Sequence, residues 1–492
     1  MKKKVLLTGA TGTMGWQAMI RFLEHKDELD LTVFARPSEV NKEKLAPYAD
    51  QMNIIWGDLN DYDLVSASMK DMDYVCHVGA IIPPMATEAG AEYVMKTNYG
   101  STLAMLRGIK QFGQEETTHY VYIGTVEEVG HRAPPMHWGR IGDPLQPSVY
   151  CYYALSKVAS ERAVAESGLK YWASIRQSFQ NPTNPIGAER PIMAMQAEWN
   201  CAEHMDAESS GNLMVQICLN APDEFWGSAY NLGGGEGFRS NYYTFLKSQH
   251  GSSRAGFHPK WIAHNNFHGH FFLDSDKLHE LVPYRLKTGP QFLKDELMHN
   301  IRLAKAKGGP RLTPEQQMEK HRQICSMPGG TIDVVERNDI EAIKVLWGSV
   351  EKFNAIPDSW DDIPIPAEPG DPILLDHGYD ETKPVSELDL TDMQKAAEFR
   401  GGKCLSESME KGAMMMPLRW QCALGHEFEA KPNTILKLGH WCPECLTKEW
   451  NFYKQAEVNP FFAQSWDYLH AGEEPFSVKM LCDATDIDKL FE

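Results

Sequence analysis

The chain has 492 residues, 42% of them hydrophobic and 23% charged, and its formal net charge is −19. This size predicts two or three domains in a globular protein, and the negative charge disfavours a general binder of nucleic acid or anionic membranes, since both need a basic face. The apolar runs are too short to span a bilayer, and the basic N-terminus meets a glycine turn where a secretion signal would continue, so we expect a cytoplasmic protein with reduced cysteines.

The first predicted element is a short buried strand over 5–7, followed by three glycines at spacing three and a helix. This order is typical of a dinucleotide-binding turn, although an ordinary glycine-rich loop is the alternative when the motif stands alone. The glycines allow a sharp turn, close approach of a pyrophosphate and tight packing, while the helix N-terminus offers free N–H groups. The predicted cofactor contacts here are Gly9, Thr11, Gly12, Thr13, Met14 and Gly15.

Four further apolar segments, over 31–34, 53–56, 74–78 and 119–123, alternate with helical patterns. Such alternation predicts an α/β fold with a doubly wound parallel sheet and helices on both faces. Ligands of these sheets bind at the carboxyl ends of the strands, so the residues that directly follow each strand are candidates for cofactor contact.

The residues after the second strand bear on the choice of cofactor. A cofactor without an extra phosphate usually meets an Asp or Glu here, and residues 35–38 contain neither. Arg36, with Ser38 beside it, can hold a 2′-phosphate, so NADP is favoured and NAD is the alternative. Arg36 can equally be a solvated surface charge.

The next two strand ends add four candidates. Asp58 and Leu59 follow the third strand, where the carboxylate can lie near the adenine amino group. Gly79 and Ala80 follow the fourth strand and are small enough for the cofactor to pass closely.

Tyr153 and Lys157 are four residues apart, so on a helix they share a face. A nearby ammonium lowers the pKa of a phenol, and Tyr153 could then exchange a proton with a substrate hydroxyl near neutral pH. Lys157 could also hydrogen-bond the ribose of the nicotinamide. A surface Tyr–Lys pair is the alternative for an isolated motif.

Taken together, these motifs resemble the extended short-chain dehydrogenase/reductases, also called the NAD-dependent epimerase/dehydratase family, over about residues 1–305. The resemblance rests on the glycine turn, Asp58, the segment 97–102, Thr125, Tyr153 with Lys157, and the segment 230–235. It implies a Rossmann-type sheet with a smaller substrate-binding lobe, and a homodimer formed through two helices of the first domain.

The resemblance also implies roles for four residues. Tyr153 would be the general acid/base, Lys157 would lower its pKa and orient the cofactor, and Thr125 would hydrogen-bond the reacting oxygen. Asn98 would support Lys157 through a water molecule.

Several positions depart from the family pattern or stay open. Sugar 4,6-dehydratases have Thr-Asp-Glu where this chain has Thr125-Val126-Glu127, so their mechanism is disfavoured. The segment 192–195 and Trp199 either line an apolar substrate pocket or pack in the core. Three histidines cluster further on, and polar surface or pocket lining is favoured over a metal site for His264, His268 and His270.

Residues 309–390 read as a connector with helices over 315–325 and 334–353 and a Pro-rich linker over 356–371. A Cys-x3-His pair and a Cys-x2-Cys knuckle follow, and this spacing is typical of a tetrahedral zinc site. The predicted ligands are Cys422, His426, Cys442 and Cys445, with His440 as a rival for the histidine position and chance core cysteines as the alternative.

The surrounding residues 391–450, which we call the zinc module, resemble treble-clef zinc domains. Such domains often accompany nucleic-acid proteins, but this segment lacks a dense basic run, so we do not expect nucleic-acid binding. Four protein ligands leave no open position for chemistry, which predicts a structural Zn²⁺. The tail over 451–492 is rich in aromatic residues and is expected to pack on the rest of the protein.

Three functions remain open. The first is an NAD(P)-dependent oxidoreductase that interconverts a secondary alcohol and a ketone on a small, apolar, 3β-hydroxysteroid-like substrate. The second is a nucleotide-sugar epimerase with retained NAD, and the third is a binding protein that only senses the cofactor.

Overall fold

The computed structural model describes residues 2–148, 152–180, 190–250, 254, 256–265, 269–306, 312–449, 452–470, 473 and 475. Its strands are β1 Lys3–Thr8, β2 Leu29–Ala35, β3 Asn53–Trp56, β4 Tyr74–His77, β5 His119–Thr125, β6 Trp138–Gly139, β7 Tyr171–Gln177, β8 Cys201–Glu203, β9 Ser228–Leu232, β10 Arg239–Asn241, β11 Phe271–Phe272, β12 Lys403–Cys404, β13 Leu418–Gln421 and β14 Glu427–Ala430. Its α-helices are α1 Thr13–Glu24, α2 Glu39–Leu45, α3 Tyr62–Ala67, α4 Met85–Ala89, α5 Ala91–Met95, α6 Ser101–Gln111, α7 Tyr152–Glu166, α8 Ala207–Asn220, α9 Tyr242–His250, α10 Ser275–Leu281, α11 Gly289–Ala306, α12 Pro314–Cys325, α13 Thr331–Glu336, α14 Ile340–Trp347, α15 Val350–Asn354, α16 Leu390–Phe399, α17 Phe452–Val458 and α18 Pro460–His470.

Seven strands form the central sheet in the order β3-β2-β1-β4-β5-β7-β9, and every pairing in it is parallel. One core cluster packs α1 and α8 on one face, and a second packs α3 and α6 on the other. The predicted doubly wound α/β sheet is confirmed. Its strand order reverses direction between β1 and β4, and that crevice is where such sheets bind their ligands.

Helix α7 is buried on all sides over residues 152–161. Every residue from Tyr152 to Glu161 is buried, although the helix carries both tyrosine and lysine. One side packs on the sheet, and its N-terminal end shares a core cluster with aromatic residues of α17 and α18, namely Phe452, Phe462 and Trp466. These three aromatic residues of the tail therefore pack on the first domain.

The connector differs from the sequence prediction at one point. The single helix expected over 334–353 is three short helices, α13 to α15. Asn338 adopts a φ of 53° and Gly348 a φ of 86°, which interrupt a helix. Asp339 and Ser349 then cap the following helices by accepting from backbone N–H groups. The helix predicted over 315–325 matches α12.

The Pro-rich segment lies along the surface of the first domain. Arg254 donates to the carbonyl oxygens of Trp360, Ile363 and Pro364, and Trp138 donates to that of Gly370. Across the described ranges, none of the helices is both long and apolar enough to cross a bilayer.

Candidate active site and metal centre

The glycine turn joins β1 to α1 at the crevice of the sheet. Gly9 has a φ of 73°, and a Cβ there would lie 2.7 Å from the backbone nitrogen of Gly79. A Cβ on Gly15 would overlap the carbonyl oxygen of Gly9. Thr8, at the end of β1, accepts from the Gly79 N–H at 2.9 Å and so ties the ends of β1 and β4 together. Both positions therefore accept only glycine, and a turn packed this closely between strand and helix fits the dinucleotide-binding pattern.

The residues predicted at the next strand ends lie near this turn. Asp58 accepts hydrogen bonds from the backbone and side-chain nitrogens of Asn60, at 2.9 and 3.0 Å. The Leu59 side chain is 3.3 Å from where a Cβ on Gly79 would stand. The cofactor candidates after β1, β3 and β4 therefore lie along the carboxyl-end edge of the central sheet.

At the end of β2, Arg36 and Ser38 are both exposed. The Ser38 hydroxyl accepts from the Asn41 N–H at 3.3 Å and so caps α2. The structure adds a third group that sequence reasoning missed: the Lys44 Nζ donates to the Thr11 carbonyl oxygen at 2.8 Å. Burial lowers the pKa of Lys44. Two cations thus flank the end of β2 and the glycine turn.

Tyr153 and Lys157 lie on α7 behind the end of β5. The Lys157 Nζ is 5.7 Å from the centroid of the Tyr153 ring and donates to the Ile123 carbonyl oxygen at 2.6 Å. Thr125 is the last residue of β5, and its exposed fraction is only 5%, against 8% for Tyr153 and 3% for Lys157. Burial lowers the pKa of Lys157 to about 8, so its ammonium titrates near neutral pH.

The hydroxyl of Thr125 accepts from the Glu127 N–H at 3.3 Å. Val126 is buried in the position where sugar dehydratases have Asp. Burial raises the pKa of Glu127 to about 8, so this carboxyl group is neutral near pH 7.

Asn98 lies in a single π-helical turn, Lys96–Gly100, just before α6. Its side chain pairs with both backbone groups of Ile81, at 2.8 and 3.0 Å, and donates to the Ser156 hydroxyl at 2.9 Å. Ser156 directly precedes Lys157. Asn98 therefore fixes α7 to the loop after β4, and its predicted water-mediated link to Lys157 stays a prediction.

A buried ionic cluster beneath the site went unnoticed in the sequence. The Arg176 guanidinium donates to both carboxylate oxygens of Glu161, at 2.5 and 3.0 Å, and lies 3.5 Å from Glu128. Burial and the neighbouring Glu161 carboxylate raise the pKa of Glu128. Burial alone would also raise the pKa of Glu161, but Arg176 and the hydrogen bond from His440 lower it below its usual range. Arg176 and Glu161 therefore form the charged pair of this cluster, and Glu128 is the carboxyl group with the raised pKa.

The predicted metal ligands converge. One ligand atom each from Cys422, His426, Cys442 and Cys445 lies within 4.8 Å of the other three. The Cys422 and Cys445 sulfurs are 3.7 Å apart, close to the edge of roughly 3.8 Å expected for a tetrahedron with Zn–S bonds of about 2.3 Å. The four predicted ligands thus form one group that could hold a metal ion, and three thiolates with one imidazole suit Zn²⁺. His440 is not part of it, because its Nε2 pairs with Glu161 at 3.0 Å.

The three clustered histidines do not form a site in the described residues. His270 is fully buried and faces the Gly130 carbonyl oxygen at 3.1 Å, while His264 pairs through its backbone with Leu346. His268 lies outside the described residues. In segment 192–195, Ala194 and Met195 pack in or against hydrophobic core clusters, which agrees with the core alternative.

Part of the chain matches a known protein family. Residues 5–198 match the NAD dependent epimerase/dehydratase family. Over 83 residues the chain is 31% identical to UDP-glucose 4-epimerase from Rickettsia bellii (strain OSU 85-389). The matched stretch covers 16% of this chain and 24% of that protein. The match thus spans about a quarter of the length of this curated relative.

Similar folds occur among solved structures. UDP-glucuronic acid 4-epimerase from Bacillus cereus, in complex with UDP-glucuronic acid and NAD, has a TM-score of 0.46 and 16% identity, and the match covers 61% of this chain and 99% of that one. A dTDP-glucose 4,6-dehydratase from Streptomyces venezuelae with NAD bound has a TM-score of 0.48 and 19% identity, with 62% and 98% covered. UDP-glucose 4-epimerase from Thermus thermophilus in complex with NAD has a TM-score of 0.47 and 16% identity, and the match covers 61% of this chain and 99% of that one.

Proposed function

Residues 5–198 belong to the NAD-dependent epimerase/dehydratase family, and from this premise we propose that the protein is a nucleotide-sugar epimerase that keeps its nicotinamide cofactor bound. The observation that carries the proposal is the buried pair of Tyr153 and Lys157 on α7. Lys157 is hydrogen-bonded to the Ile123 carbonyl oxygen of β5, the strand that ends in Thr125. The local identity with a UDP-glucose 4-epimerase supports a nucleotide sugar as the substrate class. The comparisons thus favour the epimerase over the apolar-alcohol oxidoreductase that the sequence ranked first.

Each step follows from the chemistry of these side chains. Tyr153, as a phenolate, accepts the proton of a sugar hydroxyl, and the charge of Lys157 stabilises the phenolate. The Thr125 hydroxyl accepts from Glu127 N–H and therefore keeps its own proton for the reacting oxygen. A bound nicotinamide supplies the acceptor for the hydride and returns it. The keto sugar rotates in the site and presents its other face, and the hydride then returns to that face. Tyr153 gives the proton back to the oxygen, so the epimer forms with no net redox change.

The direct test uses protein as purified. We expect heat-denatured protein to release one nicotinamide nucleotide, and native protein to convert UDP-glucose to UDP-galactose without net change in nicotinamide absorbance. Steady consumption of added NADPH with a ketone, and no epimer, would exclude the epimerase.

That second outcome corresponds to our second candidate, an NADPH-dependent reductase that exchanges its cofactor in each turnover. The cations at the end of β2 favour it, because a 2′-phosphate needs positive partners. In this second candidate, Arg36, Ser38 and Lys44 together would select NADP over NAD.

Replacing Lys44 with methionine tests this cofactor assignment. We expect the dissociation constant of NADPH for stripped protein to rise about tenfold, since one charge-assisted hydrogen bond to the 2′-phosphate is lost. NADH should bind as before, and fluorescence titration measures both.

The matched control is Lys42→Met, because Lys42 lies on the same helix but pairs with Glu39. It should leave both affinities unchanged. An equal loss of NADH and NADPH affinity in Lys44→Met would mean that Lys44 supports the glycine turn and does not contact a 2′-phosphate.

A further inference from the structure

The zinc module packs directly on helix α7. Arg162 of α7 donates to the Trp441 carbonyl oxygen at 2.7 Å, and Lys431 of the module donates to the Ala165 carbonyl oxygen at 2.7 Å. Trp441 immediately precedes the zinc ligand Cys442. The metal site is therefore fixed to the helix that carries Tyr153 and Lys157.

One residue of the module reaches further into the first domain. His440 is 1% exposed, and its Nε2 pairs with Glu161 at 3.0 Å. The turn that carries it is tightly fitted: Gly439 has a φ of 80°, and a Cβ there would overlap the Asp143 carbonyl oxygen. The His440 N–H donates to the Thr434 carbonyl oxygen at 3.2 Å. The candidate zinc ligand Cys442 follows two residues later, so a bound ion would hold the other end of this turn.

From Glu161 the contacts continue to the end of β5. Arg176 bridges Glu161 and Glu128, and Glu128 accepts the backbone N–H of Thr125 at 2.8 Å. A Cβ on Gly124 would overlap the Glu128 carboxyl oxygen. This overlap explains why glycine precedes Thr125: a side chain there would displace the carboxyl group that holds the Thr125 backbone.

We propose that His440 is a positioning residue, which holds Thr125 in place through Glu161, Arg176 and Glu128, so that the zinc module acts on the active site. The part that concerns turnover rests on the proposed function. The part that concerns the order of the Thr125 backbone stands independently of it.

The test compares two variants of His440 in the full chain. In His440→Leu the donor to Glu161 is lost. We expect kcat for UDP-glucose to fall about 10- to 100-fold, because a small displacement of a reacting group lowers the rate by about this factor. KM and zinc content should stay near those of the wild type. In His440→Gln the amide can donate in place of Nε2, and most of kcat should return.

Lys431→Met is the matched control, because it removes a contact between the module and α7 outside the cluster. It should leave kcat unchanged. A loss of kcat in Lys431→Met as large as in His440→Leu, or a His440→Leu protein with wild-type kcat, would overturn the proposal. So would equal defects in the Leu and Gln variants.

Hydrogen exchange of peptides spanning 119–130, followed by mass spectrometry, needs no substrate. We expect faster exchange at the Thr125 amide in His440→Leu and unchanged exchange in Lys431→Met, because only the former weakens the acceptor of that N–H. Unchanged exchange in both overturns the positioning role. If exchange is faster in His440→Leu but the wild-type protein shows no epimerase activity, only the proposed function is wrong and the positioning role stands.

Discussion

Replacing Tyr153 with phenylalanine is expected to lower turnover of the nucleotide sugar by about a thousandfold. General acid–base groups contribute about 10²- to 10⁴-fold, and the phenol is the group placed to move the proton of the sugar hydroxyl. The ring and its packing are kept, so the released nucleotide should be as abundant as in the wild type. Epimer formation in single-turnover assays, with nucleotide quantified after denaturation, measures both quantities.

Tyr152→Phe provides the control for this experiment. Tyr152 is the neighbouring tyrosine on α7 and is buried in the same cluster, but it is not four residues before a lysine. It should keep turnover within a few-fold of the wild type. Turnover that survives in Tyr153→Phe, or that falls equally in both variants, would show that another group moves the proton.

The second large effect concerns zinc. Replacing Cys445 with serine, or removing the metal with a strong chelator, is expected to lower the melting temperature by about 5 to 10 °C. Zinc held a thousandfold above its dissociation constant stabilises the folded state by about 4 kcal/mol, and the loss should appear in the whole chain, because the module packs on α7. Calorimetry with metal analysis measures the shift.

Cys404→Ser is the matched control, since Cys404 is only half-buried and lies outside the four-ligand group. It should keep its zinc and its melting temperature. A chelated protein that melts like the wild type would contradict a structural zinc, and a metal content below one ion per chain in the wild type would contradict the site itself.

The sequence predicted those features whose physical cause is local. Gly9 and Gly15 are required by close backbone contacts within one turn, and Tyr153 and Lys157 share a face because they lie one helical turn apart. The candidate zinc ligands form two pairs with short spacing, so each pair is brought together within one turn of the chain.

Features that depend on distant segments escaped sequence reasoning. Lys44 meets Thr11 because α2 folds back over the glycine turn, and no spacing encodes that contact. His440 seemed a rival zinc ligand because its neighbours are ligands, yet it pairs with Glu161, 279 residues earlier. Arg176 carried no motif, and its importance lies in the two carboxyl groups that the fold brings to it.

The burial of α7 has a consequence for how the protein is made. Its partners in α18 and the zinc module follow it late in the chain, and synthesis at about 5 to 20 residues per second separates α7 from α18 by roughly 15 to 60 s. During that interval the apolar side of the helix and the Glu161 carboxylate, both buried in the folded protein, are exposed on the ribosome. We expect the emerging first domain to stay inactive, and chaperones that shield apolar surface to bind it, until the last helices arrive.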